Sequence, residues 1–194
     1  MVHQGTQLVL VQMAGAPGTG KSALAAALGQ QIGAVVLDKD VVKSALLDAG
    51  IGWETAGVAA SEAMFALADS GLAQGVSVVL DSPAHFAVIP ERGVAVATAQ
   101  GAAYRFIECV CEDLGEVGRR LAGRSRRRSQ WIGPDAQAPD GESSAEQLGP
   151  HRGRTYGPGG GWLVLDSRSP LERTLALALQ YVDAGGTRPA STEG

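Results

Sequence analysis

Residues Gly15 to Ser22 read GAPGTGKS. Gly15, Gly20, Lys21 and Ser22 fill the fixed positions of the pattern G-x-x-x-x-G-K-[ST], with Ala16, Pro17, Gly18 and Thr19 between them. Glycines let successive backbone N–H groups turn inward around phosphate oxygens. The start of a following helix adds partial positive charge. The lysine can reach the outer phosphates, and the hydroxyl beside it can ligate Mg²⁺. These eight residues are therefore expected to bind a nucleotide, with Lys21 also catalytic and Ser22 also a metal ligand. A plain glycine-rich turn could share the string, but the flanks favour the phosphate cradle. An apolar run, LVLVQMA, precedes it. The stretch KSALAAALGQQIG follows, with Leu24, Ala27, Leu28 and Ile32 on one helical stripe. The turn alone means "nucleotide" and does not separate a kinase from a GTPase switch or a motor.

Three carboxylates fall where such a nucleotide could meet them. The run VLDKDVV supplies Asp38 and Asp40, and VSVVLD ends in Asp81. In open α/β sheets the working crevice lies at the carboxyl ends of the strands, where all three would sit. Phosphoryl transfer to a hydroxyl needs one carboxylate to accept its proton and others near the metal. Asp40 is the candidate base. Asp81, at the end of a Walker B-like strand, and Asp38 are candidate metal ligands. Either Asp38 or Asp40 could instead cap the helix that follows, and Asp81 could be a turn residue before Ser82-Pro83. His85 reads as a polar rim residue.

The stretch RRLAGRSRRR supplies Arg119, Arg120, Arg124, Arg126, Arg127 and Arg128. A nucleic-acid surface would want interleaved aromatics and a wider basic face, and neither is present. A solvated face is the bland alternative. The sharper reading is a lid whose guanidiniums close on the transferring phosphate, a role worth roughly 10³–10⁵ in rate. Arg120 and Arg124 lie four apart on one helical face. Both are expected at the nucleotide, Arg124 with a catalytic part.

Positioning these groups requires a sheet. Five apolar runs qualify as strands: LVLVQMA, AVVLD, VSVVLD, YRFIECV and WLVLD. They are nearly continuous rather than alternating, as in parallel strands covered on both faces. Helical stretches alternate with them, which predicts a doubly wound α/β fold. VVKSALLDAG and AASEAMFALADSGLAQG form a two-helix flap at about residues 41–75, and PERGVAVATAQG reads as another helix. In SPLERTLALALQYV, Ser169 is the expected N-cap, Pro170 the first helical residue and Glu172 the partner in a capping box. Periodicity is lost from Ser125 to about Gly161, which reads as a lid at about 123–160 or a disordered insert. Residues 1–183 are expected to form one domain, and 184–194 a disordered tail.

The chain of 194 residues is 45% hydrophobic and carries a formal charge of -4. That balance gives no general attraction to nucleic acid or an anionic membrane. Cys109 and Cys111 would share a strand face too closely for a good disulfide, and are expected as reduced core residues. No run approaches the roughly 18 apolar residues of a membrane span, so a cytoplasmic protein is expected. The sequence leaves the oligomeric state open.

Taken together, GAPGTGKSALAAAL, VVLDKDVVKSAL, VVLDSP and ECVCEDLGEVGRRLAGR resemble the small P-loop kinases of the nucleoside-monophosphate-kinase-like superfamily. The closest resemblance is to AAA_33-type kinases, chloramphenicol phosphotransferase, gluconate kinase and shikimate kinase. It implies a five-stranded parallel sheet of order 2-3-1-4-5, a helical acceptor flap and an Arg-bearing lid. It further implies ATP and Mg²⁺ as cofactors, Asp38 in the metal shell and Asp40 as base. The segment after Arg124 departs from the pattern. The flap lacks the basic cluster expected for shikimate or a nucleoside monophosphate, and Trp53, Glu54, Glu62 and Phe65 suggest a neutral or cationic acceptor. The expected function is an ATP-dependent phosphotransferase acting on a small-molecule hydroxyl, with no nucleic-acid partner. A nucleotide-dependent regulatory ATPase, or a polynucleotide or nucleotide-sugar kinase, is the alternative. The missing N-K-x-D guanine signal favours ATP.

Overall fold

The computed structural model describes residues 7–123, 127–130, 155–158 and 161–184. Arg124, Arg126, most of the expected lid and residues 185–194 of the expected tail lie outside them. The strands are β1 (Val9–Ala14), β2 (Val35–Asp38), β3 (Val78–Asp81), β4 (Ala103–Val110) and β5 (Leu163–Asp166). The helices among the described residues are α1 (Lys21–Ile32), α2 (Lys39–Asp48), α3 (Trp53–Ala73), α4 (Val88–Ala99), α5 (Leu114–Gly123) and α6 (Leu171–Asp183). The sheet is wholly parallel, with order β2-β3-β1-β4-β5.

β1 is central, and every one of its residues is buried. Its side chains feed both faces. Val9, Val11 and Met13 pack with Leu24 and Leu28 of α1 and with Ala178 and Tyr181 of α6. Leu10 and Ala14 pack on the other face with Met64, Phe65 and Leu72 of α3 and with Ile89 and Ala97 of α4. Burying a Val, Leu or Met side chain contributes roughly 1.5–3 kcal/mol, so this strand anchors both layers. Phe65 belongs to that core. A smaller cluster of Leu47, Trp53 and Ala56 joins α2 to α3 in the flap.

Three local expectations change. α6 begins at Leu171 with Pro170 as its N-cap and no side-chain cap bond. Pro170 has an extended ψ of 147°, so it stands outside the first turn, and Ser169 is held in the preceding turn by its N–H to Asp166 O. α3 starts six residues before the expected stretch, at Trp53, because that indole and Ala56 bury against α2. Cys109 is buried in β4, but Cys111 lies beyond the strand end and is half-exposed, so only the first is a core residue; both are free. Burial pushes the Cys109 thiol up to about 12. Among the described residues, no helix is long and apolar enough to cross a membrane.

Candidate active site

The glycine turn leaves β1 and enters α1 at the carboxyl edge of the sheet. Gly15 has φ 128°, and a Cβ there would stand 2.2 Å from Cys109 O at the end of β4. A Cβ on Gly18 (φ 85°) would stand 2.8 Å from Val117 Cγ1 of α5. Only glycine permits both the backbone conformation and these approaches. Thr19 is buried and spends its hydroxyl inside the turn, donating to Ala16 O at 2.8 Å. α1 has no side-chain cap and no acidic residue in its first turn. The N–H groups at its start are thus left for an external anion.

Two clefts flank this turn. The first, of about 490 Å³, runs from the turn and Ser22 to Lys39, Asp40, Lys43 and Trp53. Pro83, His85, Phe86 and Ile89 form another part of its wall, with Arg120, Ser129 and Gln130. The second, of about 390 Å³, lies between Gly20, Ala23, Arg120 and the β5–α6 turn of Ser167 to Leu171.

Lys21 Nζ donates to Asp81 Oδ1 in an ion pair whose side chains are 13% and 3% exposed. Asp38 is the register partner of Asp81 on the neighbouring strand. Burial, and then the Asp81 charge, raise the Asp38 pKa above the ordinary carboxylate value. Asp38 caps α2: its Oδ1 accepts from Asp40 N–H at 2.8 Å, and Arg127 Nε lies 3.8 Å from Oδ2. Asp40 faces the cleft, with both oxygens engaged. Ser129 Oγ donates to Oδ1 and Gln130 Nε2 to Oδ2, each at 3.0 Å. Ser129 N–H also donates to Ser44 Oγ at 3.1 Å, and Arg128 Nη1 to Leu47 O at 2.9 Å. Residues 127–130 therefore clasp the flap.

Arg120 stands between the two clefts. It donates to Ser167 Oγ at 2.9 Å and Ser167 O at 2.8 Å, and its Nε to Glu116 Oε1 at 2.8 Å. Arg124 lies outside the described residues. Trp53 is buried against the cleft, whereas Glu54 is exposed and does not line it. Glu62 pairs with Arg92, which also lies over the Phe65 ring. Lys39, Lys43, Ser129, Gln130 and Ser167 were not anticipated from sequence. Ser129 and Gln130 stand 89 and 90 positions from the carboxylate they bind, a pairing that no local pattern encodes.

Ser22, Asp38 and Asp81 form a set of oxygen donors, the chemistry that Mg²⁺ prefers. That ion is commonly held by one or two carboxylates plus substrate phosphates rather than by an all-protein cage. Burial first, and then the charge of the adjacent Asp81, raise the Asp38 pKa; a cation would relieve the repulsion between the two carboxylates. The residues fit the ion. Among the described residues, no cluster of three His, Cys, Asp or Glu side chains could hold a metal unaided.

A parallel sheet of this order, with a G-x-x-x-x-G-K-S turn after its central strand and a carboxylate ending the adjacent one, defines a kinase-like P-loop nucleotide-binding fold. The sequence profile of the AAA_33 family, an AAA domain, matches residues 10–148, and the chain belongs to that family. Solved structures agree on the fold. A suspected kinase from Chloroflexus aurantiacus is 24% identical with TM-score 0.67, covering 93% of this chain and 100% of its own. A sugar kinase from Janibacter is 17% identical with TM-score 0.62, covering 94% and 100%. The APS kinase of Mycobacterium tuberculosis, solved with AMPPNP and APS, is 19% identical with TM-score 0.58, covering 92% and 99%. None of the curated proteins matches.

Proposed function

We propose that the protein transfers the γ-phosphoryl group of ATP to a hydroxyl of a small molecule. The observation that carries this reading is one cleft lined both by the P-loop and by Asp40. The second cleft, across Arg120, offers the nucleoside a place on the opposite side of the turn.

In this reading the turn and the open start of α1 hold the phosphates, while Lys21 exchanges Asp81 for phosphate oxygens. Mg²⁺, held by Ser22 and Asp81 with Asp38 behind them, would neutralise phosphate charge. Asp40 takes the proton as the acceptor oxygen bonds to the γ-phosphorus; the bond to the bridging oxygen breaks and ADP leaves. Ser129 and Gln130 orient Asp40 and yield one of its oxygens to the incoming hydroxyl. The clasp and Arg120 limit the entry of water, which would otherwise take the phosphoryl group.

The test is a panel of hydroxylated metabolites and antibiotics incubated with ATP and Mg²⁺, scored by ADP release and by the mass gain of one phosphate. A class of acceptors should gain that mass. Asp40→Asn should slow transfer about 10²–10⁴-fold with ATP affinity retained. Transfer that survives Asp40→Asn unchanged, or ATP-driven binding of a partner protein with no phosphorylated product, would refute the proposal.

A further inference from the structure

The flap wall of the cleft carries charge that the transfer chemistry does not use. Lys39 and Lys43 are four residues apart in α2 and so share a face, and both line the cleft. Lys43 Nζ sits 3.4 Å from the centroid of the Trp53 ring on α3. It also lies 3.7 Å from where a Cβ on Gly57 would be, one turn further along that helix. Among the described residues, neither ammonium forms an ion pair. The carboxylate beside them, Asp40, already accepts from Ser129 and Gln130.

Like charges at this spacing repel, and a half-buried ammonium loses hydration. Both effects register here. Burial first, and then Lys39, lower Lys43 to about 8. The cleft wall thus holds two cations side by side, one of them fixed in place by an aromatic face. A bound oxyanion would relieve both, and an ammonium serves such a ligand as a compact point charge.

We propose that Lys39 and Lys43 form an oxyanion subsite, so that the phosphoryl acceptor carries a carboxylate, phosphate or sulfate group beside the Trp53 ring. This deepens the phosphotransferase reading, on which it rests. It replaces the neutral or cationic acceptor expected from sequence, since Glu54 is outside the cleft lining, Glu62 is paired with Arg92 and Phe65 is core.

The experiment uses the full chain saturated with Mg²⁺ and AMPPNP, so that the P-loop is already filled. Acetate, inorganic phosphate and sulfate are titrated by calorimetry, with acetamide and dimethyl sulfone as uncharged counterparts. The anions should saturate at millimolar concentration and the uncharged compounds should not. Lys39→Gln and Lys43→Gln should each weaken the anions ten-fold or more, and Lys43→Arg should keep most of the affinity. Preference among the three probes distinguishes a carboxylate from a phosphate or sulfate ester. No saturable anion binding, binding indifferent to both substitutions, or an equal loss of AMPPNP affinity would overturn the subsite. Anion binding without phosphoryl transfer to any hydroxylated anion would refute the transferase reading alone. Transfer to an uncharged alcohol, undiminished in Lys39→Gln/Lys43→Gln, would refute the subsite alone.

Discussion

Replacing Lys21 by Met tests the resting ion pair as well as the phosphate site. Asp81 is 3% exposed and its cationic partner 13%, so water cannot easily replace the lost ammonium. Removing one member of such a pair strands a buried charge and costs about 3–5 kcal/mol. For a chain of this size each kcal/mol shifts the melting temperature by about 2–4 °C, so the fall should be about 6–20 °C. Adding Asp81→Asn removes the stranded charge and should recover most of that loss, leaving about 1–3 kcal/mol for an amide without its full set of hydrogen bonds. Nucleotide affinity should not recover. Urea unfolding followed by circular dichroism gives the stabilities, and calorimetry with AMPPNP gives the affinities. A single Lys21→Met variant as stable as the parent would refute the reasoning, as would a double variant no more stable than the single one.

Gly15→Ala should destabilise the fold by at least the roughly 1–3 kcal/mol of an overpacked site, because its methyl would meet Cys109 O at 2.2 Å. An unchanged urea midpoint would contradict that geometry. Lys43 loses its proton at about 8 rather than 10.5. Above about pH 8 the unfolded chain therefore holds a proton that the folded one has shed, and stability should rise with pH from about 8 to 10. Lys39 is shifted in the same direction, Asp40 opposes it, and the Trp53 ring that Lys43 faces is uncharged. Urea midpoints across that range should climb in the parent and climb less in Lys43→Met; a flat parent profile would contradict the strain.

The strands and their order were legible because a parallel sheet covered on both faces needs continuous apolar runs, and VLVQMA, VVLD and its repeat supply them. The P-loop was legible because its chemistry is local: eight consecutive residues, one strand and one helix. The flap was less so. Ala-rich α3 has little amphipathic contrast, so its start at Trp53 is visible only through the packing of that ring on α2. Lys39 and Lys43 look like ordinary solvated helix residues until the fold sets both on the cleft and the Trp53 ring against Lys43. Asp38 has the spacing of a metal ligand and equally of an N-cap; the backbone at Asp40 shows the cap. The clasp of Ser129 and Gln130 on Asp40 joins positions far apart in sequence, where periodicity carries no information.

The tight seat of Gly15 also governs when this site can come into being. The P-loop is made before the residues that shape it from behind. Cys109 forms the wall against Gly15, Val117 the wall against Gly18, and Ser167 anchors the arginine beside Gly20. β1 likewise waits for β3 and β4, its neighbours in the sheet. A nascent chain halted before β4 has every residue of the motif and lacks the surfaces that mould it. Nucleotide binding thus becomes available only after β4 and α5 have been made, and the ligand stabilises only chains extended past them.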